Sequence, residues 1–174
     1  MNVSNNKMLT KDAGKALGDM LKANSVLKEL NVSSNYDYLA SATDGAGFAT
    51  AIADGIGTSR ALRSLNISNN QMATKEAGKA FAEALAANSS LKELDVSSNT
   101  DDGRGDGIAF DGADGPGFAQ EFAAGVADNR ALTSLNISNN SLCGITDHGG
   151  GVTSGTFDAS GIGLSLLQVL SIFA

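Results

Sequence analysis

The chain has 174 residues, 12 Lys and Arg against 19 Asp and Glu, and a net charge of −7, which bounds it at about one domain and argues against nucleic-acid and anionic membrane partners, both of which need clustered cations. One cysteine, Cys143, excludes an intrachain disulfide, and no run approaches the roughly 18 apolar residues of a membrane span. Gly is abundant at 21 residues, Pro occurs once and Trp is absent, so the core must come from Leu, Ile, Val, Ala and a few Phe and Met, joined by tight turns.

The chain opens on Met1-Asn2-Val3, with strand periodicity, followed by a turn at Asn6. Thr10 then caps a helix in which Ala13, Leu17, Met20 and Leu21 share one face. The start lacks a basic segment and a continuous apolar stretch, so it does not read as a signal peptide. With no disulfide available either, the compartment stays open and leans slightly towards the cytoplasm.

A phrase then returns four times: LKELNVSSN at 27–35, LRSLNISNN at 62–70, LKELDVSSN at 91–99 and LTSLNISNN at 132–140. Its spacing is L-x-x-L-x-V/I-x-x-N, carried by Leu27, Leu30, Val32 and Asn35 and by their equivalents. The alternation across Leu30-Asn31-Val32 is that of a strand with one apolar face. The Asn falls where the chain must turn, and a buried amide there satisfies backbone groups that an apolar residue leaves unpaired. Stacked copies predict an asparagine ladder of Asn6, Asn35, Asn70, Asn99 and Asn140.

Each phrase is followed by a helical stripe. Phe48, Ile52 and Ile56 form the second, ending in the Gly-rich stretch near Gly57. Thr74 caps the third, with Ala77, Phe81, Ala84 and Leu85, and the fourth carries Phe118, Phe122 and Val126. Asp44 and Asp114 stand at helix starts, the latter before Pro116, which suits a first turn. The other helices end near Asn24, Asn88 and Asn129. From Met1 through Leu30, Leu65, Leu94 and Leu135 to Leu170 the steps are 29, 35, 29, 41 and 35 residues. Short and long units alternate, so the period is a pair. The extra residues, 36–43, 100–113 and 141–158, lie between the Asn turn and the next helix, on one edge of the stack. The last segment, 167–173, reads as a degraded copy of the strand without a helix after it.

These residues, with Met8, Met72 and Leu142 two positions beyond the Asn, resemble a leucine-rich repeat, and more narrowly the ribonuclease-inhibitor-like class. The resemblance implies an α/β solenoid, a short horseshoe arc with a parallel sheet on the concave side and α-helices on the convex side. Residues 1–174 are expected to form a single domain of about five repeats, with 141–174 an atypical last repeat. The class commonly recognises proteins, which implies a non-catalytic protein–protein interaction module.

On that arc the concave face would carry Glu29, Asn31, Ser64, Asn66, Glu93, Asp95, Ser134 and Asn136, a polar and mildly acidic groove. Glu29 and Glu93 are a poor acid–base pair, about 10 Å apart across two strand spacings. No enzyme activity, cofactor or resident metal is expected. The acidic loop 100–117 lacks EF-hand spacing but leaves a calcium-binding module as an alternative; its Arg104-Gly105-Asp106 is a three-residue match to an integrin tripeptide and carries no weight. Cys143 with His148 is too thin for a metal site or a nucleophile pair. Asn-x-Ser triplets at Asn2, Asn31, Asn66, Asn88, Asn136 and Asn139 follow largely from the repeat itself. A second alternative is a structural subunit or fragment of a larger assembly. Neither end shows a cap, so open solenoid ends would permit such docking or self-association.

Overall fold

The computed structural model describes residues 1–36, 44–100 and 113–142. Helices and strands alternate: α1 (Lys11–Ala23), β1 (Glu29–Asn31), α2 (Gly45–Thr58), β2 (Ser64–Asn66), α3 (Lys75–Ala87), β3 (Glu93–Asp95), α4 (Gly115–Asp128) and β4 (Ser134–Asn136). The four strands form one parallel sheet in the order β1-β2-β3-β4, with Leu30, Leu65, Leu94 and Leu135 in register. Consecutive repeats are therefore consecutive neighbours, joined by helices that cover one face of the sheet.

Each strand is only three residues long. The hydrogen bonding continues past it, for Val32 N–H donates to Asn66 C=O, Ile67 to Asp95 and Val96 to Asn136. The start of the chain joins the sheet by a single parallel bridge, Asn2 to Asn31, and not by a full strand. The proposed terminal strand at 167–173, Cys143, His148 and the loop carboxylates Asp101, Asp102, Asp106 and Asp111 lie outside the described residues.

The apolar stripes meet in one core. Leu30, Leu62, Leu65, Leu91, Leu94, Val32, Ile67, Val96 and Ile137 come from the strand side, and Leu21, Phe48, Ile52, Ile56, Phe81, Leu85, Phe118 and Phe122 from the helices. Phe118 and Phe122 stack with ring centroids 5.2 Å apart. Each such side chain contributes about 1.5–3 kcal/mol by leaving water. Leu132, just before β4, and Leu135, on it, are only half-buried.

Sequence chemistry explains the helix limits. Thr10 and Thr74 accept from the N–H groups of Ala13 and Ala77 through their hydroxyls, and Asp44 and Asp114 accept from Gly47 and Gly117. The second helix runs on through Gly57 to Thr58 and is capped by Ser59. Helices pack in close pairs because glycine removes the side chain at the crossing. A Cβ on Gly14 or Gly78 would lie 2.5 Å from the carbonyl oxygen of Phe48 or Phe118. One on Gly55 would overlap the backbone of Gly18, and one on Gly125 the backbone of Ala82.

Candidate functional site

The exposed face of the sheet is built from three rows of side chains, one position from each repeat per row. The outermost row is Glu29, Ser64, Glu93 and Ser134, paired strand to strand in register. The next is Asn31, Asn66, Asp95 and Asn136. The third is Ser33, Ser68, Ser97 and Ser138, two residues further along. All eight residues expected on the concave face are thus brought into one strip four strands wide. Glu29, Glu93, Ser134 and Asn136 are exposed, and Ser64, Asn31, Asn66 and Asp95 are half-buried.

Local hydrogen bonding decides what this strip offers. The Oδ1 of Asn31 accepts from the N–H of Ser33 at 2.9 Å. Asn66 Oδ1 accepts from both the N–H and the hydroxyl of Ser68, at 2.9 and 2.7 Å. Asp95 does the same for Ser97 at 2.9 and 2.6 Å, and Asn136 for Ser138 at 3.2 and 2.8 Å. These are Asx turns that hold the backbone as each strand ends. One oxygen of every side chain in the row is committed internally, so Asn31, Asn66 and Asn136 offer amide donors and Asp95 a second carboxylate oxygen. Glu29 and Glu93 are separated by the Ser64 strand, about 10 Å at ordinary strand spacing, and do not converge. Among the described residues no group of three or more His, Cys, Asp or Glu side chains is placed to hold a metal ion.

Behind the groove runs a column of asparagines that is buried from Asn35 to Asn140. The N–H of Asn6 donates to Asn35 Oδ1 at 2.8 Å, that of Asn35 to Asn70 at 2.7 Å, that of Asn70 to Asn99 at 2.8 Å and that of Asn99 to Asn140 at 2.7 Å. Each interior amide NH2 donates back to its own repeat and to the preceding one, as Asn70 does to Ile67 and Val32 C=O, both at 3.0 Å. The residue before each ladder Asn is held left-handed: Asn5, Ser34, Asn69, Ser98 and Asn139 have φ between 55° and 58°.

A second column stands at the opposite rim, where helices turn into strands. Asn88 accepts from Ser90 and Leu91 N–H at 2.8 and 2.7 Å, and donates to Ile56 and Ser59 C=O of the preceding repeat at 2.7 and 3.1 Å. Asn129 repeats this with Ala131 and Leu132 on one side and Leu85 and Asn88 on the other. Sequence reasoning placed these asparagines only as helix ends. Their recurrence three positions before Leu27, Leu91 and Leu132 was the available signal. Among the described residues no buried side-chain nitrogen or oxygen lacks a partner.

Comparisons with known proteins agree with this geometry. Two leucine-rich-repeat models match, at residues 87–100 and 131–150. No curated protein matches the chain. Among solved structures, leiomodin-1 actin-binding site 2 is similar with a TM-score of 0.59 and 23% identity, over 80% of this chain and 69% of that one. The tropomodulin C-terminal domain from Caenorhabditis elegans is similar with a TM-score of 0.55 and 16% identity, over 85% of this chain and 73% of that one. At these identities the likeness is one of fold.

Proposed function

We propose that this chain, a leucine-rich repeat protein, is a non-catalytic protein-recognition module that uses its polar concave sheet and the irregular segments beside it. We read residues 1–174 as one domain of about five repeats. The observation that carries the proposal is the strip of in-register Glu, Ser, Asn and Asp side chains that faces solvent while both asparagine columns turn inward. The strip is four strands wide, with its Asx oxygens already committed. It suits a protein surface that accepts from amides and donates to the Glu29, Glu93 and Asp95 carboxylates. Leiomodin-1 actin-binding site 2 has a similar fold, which makes actin the first defined partner to assay here.

The test is binding to purified actin, and cross-linking from a photoreactive group at the exposed Asn136 position of the strip, with the chain and with a Ser64→Tyr/Ser134→Tyr variant whose added rings fill the strip. At least tenfold weaker binding or loss of the cross-link in that variant is expected. A partner retained at full affinity, or no protein cross-linked at all, rejects the concave face.

A second reading, docking through an end of the stack, has one observation in its favour. Val26 is 76% exposed and Met1 53%, beside half-buried Val3, Leu17, Met20 and Leu27. Light scattering of the chain and of Val26→Ser separates this reading: a mass above the monomer that falls in the variant supports it. The calcium alternative rests on loop carboxylates outside the described residues, and calorimetry with Ca²⁺ decides it.

A further inference from the structure

We infer that the rim where the strands begin is a docking edge for an acidic polypeptide segment of the partner. The inference rests on the protein-recognition reading above. The chain carries a net charge of −7, yet its cations are not spread evenly. Lys28, Arg63 and Lys92 immediately precede β1, β2 and β3 and follow one another in a backbone ladder: Arg63 N–H donates to Lys28 C=O at 2.7 Å and Lys92 N–H to Arg63 C=O at 2.8 Å. Arg60 and Arg130 occupy the helix-to-strand turns on the same rim, each directly after its capping residue, Ser59 or Asn129. All five side chains are exposed.

None of the five is used in an ion pair among the described residues. The ion pairs lie instead on the helical face, between Lys15 and Asp19, Lys22 and Asp19, Lys22 and Asp54, and Lys75 and Glu121. Arg63 is fixed without a carboxylate: its Nη1 donates to Ser90 C=O at 2.9 Å, across to the next repeat, and to Arg60 C=O at 3.3 Å. All four helices end at this rim, and cations offset the negative ends of helix dipoles. That role does not account for the pattern, since the equivalent positions after Asn24 and Asn88 are the neutral Ser25 and Ser89.

The neighbouring row decides the kind of partner. Glu29 stands next to Lys28 and Glu93 next to Lys92, and Asp128 precedes the Asn129-Arg130 turn. A nucleic acid or an anionic bilayer presents uniform negative charge and would meet these carboxylates as well as the cations. A polypeptide can place its acidic residues on the rim alone and direct other groups into the groove. Charge complementarity therefore selects an acidic segment lying across the strand starts, with binding that weakens as salt rises.

The experiment uses a fluorescently labelled deca-glutamate peptide, read by anisotropy at 50 and 200 mM salt. The average charge of the chain predicts repulsion, so binding reports the local rim. The test variant, Arg60→Ser/Lys92→Thr/Arg130→Ser, takes at each position the residue of an equivalent repeat (Ser25, Thr133 and Ser89). Its fold is checked by circular dichroism. Expected are binding at 50 mM salt, at least fivefold weakening at 200 mM and at least tenfold weakening in the triple variant. Glu29→Ala/Glu93→Ala should bind the peptide two- to fivefold more tightly, a readout independent of the triple variant's folding. No binding at 50 mM salt, equal binding by the triple variant, or tighter binding to heparin or to phosphatidylserine vesicles overturns the proposal. A cross-linked partner lost in Ser64→Tyr/Ser134→Tyr but retained by the triple variant removes the rim and leaves the groove. The reverse pattern removes the groove.

Discussion

Asn70 Oδ1 accepts the backbone N–H of Asn35 at 2.7 Å, tying one turn of the arc to the turn before it. Both residues are fully buried, so neither group has water as an alternative. Asn70→Ala would orphan that N–H and take one of two amide donors from each of the carbonyls of Val32 and Ile67, which keep those of Asn35 and Asn99. A buried group left unpaired costs about 1–3 kcal/mol, and with two further hydrogen bonds lost the expected destabilisation is about 2–3 kcal/mol. Asn66→Ala removes an Asx turn that water can reach and should cost about 1 kcal/mol or less. Urea unfolding of the two variants measures the contrast; equal losses would contradict the distinction between column and groove.

Gly78 should not tolerate alanine. In an exposed helix the change stabilises by up to about 1 kcal/mol, but here the new Cβ would lie 2.5 Å from the Phe118 carbonyl oxygen. The pair α3–α4 would have to separate, and the expected cost is about 1–3 kcal/mol. Gly14→Ala should behave alike on α1–α2, through Phe48. A rise in thermal midpoint in either variant would show that these crossings are looser than their geometry.

Ser98 has φ of 56°, a conformation that costs an L-residue about 1 kcal/mol or more. Its hydroxyl receives only a long bond from Asn139, at 3.5 Å. Ser98→Gly should therefore raise stability by about 0.5–1 kcal/mol after the entropy of the added freedom is subtracted. Chemical denaturation reads the sign directly.

The pH dependence should be shallow and two-sided. The Lys15 ammonium, bonded to Asp19 at 2.6 Å, holds that carboxyl below its usual range, with Lys22 adding to the effect. A depressed carboxyl stabilises above the unfolded value and loses this effect as pH falls through the folded value. The Lys22 ammonium is raised above its ordinary 10.5 chiefly by its bond to Asp54, so its contribution is complete below that pH and fades above it. Both pairs are exposed and should be screened by salt. Thermal midpoints should be flat from about pH 5 to 9, fall on either side, and flatten at 1 M salt. In Lys22→Ala the alkaline fall should shrink.

The leucines and asparagines were legible because strand geometry and amide chemistry leave few alternatives at those positions. Leu30, Leu65 and Leu94 repeat at steps that no single helix or loop would keep, and Asn35, Asn70 and Asn99 sit where only a donor and acceptor together satisfy two turns. The helix starts at Thr10 and Thr74 were legible for the same reason. The roles of Gly14, Gly78 and Gly125 were not, since they arise from the crossing of helices distant in the chain and leave no local pattern. Nor was the internal use of the Asn66 and Asp95 side chains. An Asx turn is visible in sequence only as Asn-x-Ser, which the strand repeat already explained.

The glycine crossings bear on how such an arc can lengthen. Gly14 and Gly18 on α1 receive the backbone of α2, as Gly78 on α3 receives that of α4, whereas the α2–α3 boundary uses Gly57 beside Ala84 instead. A tandem duplication that copied one helix and one strand would break this alternation of crossings and pair helix faces that are not matched in the present stack. Lengthening by an even stride, two repeats at a time, keeps both kinds of crossing intact.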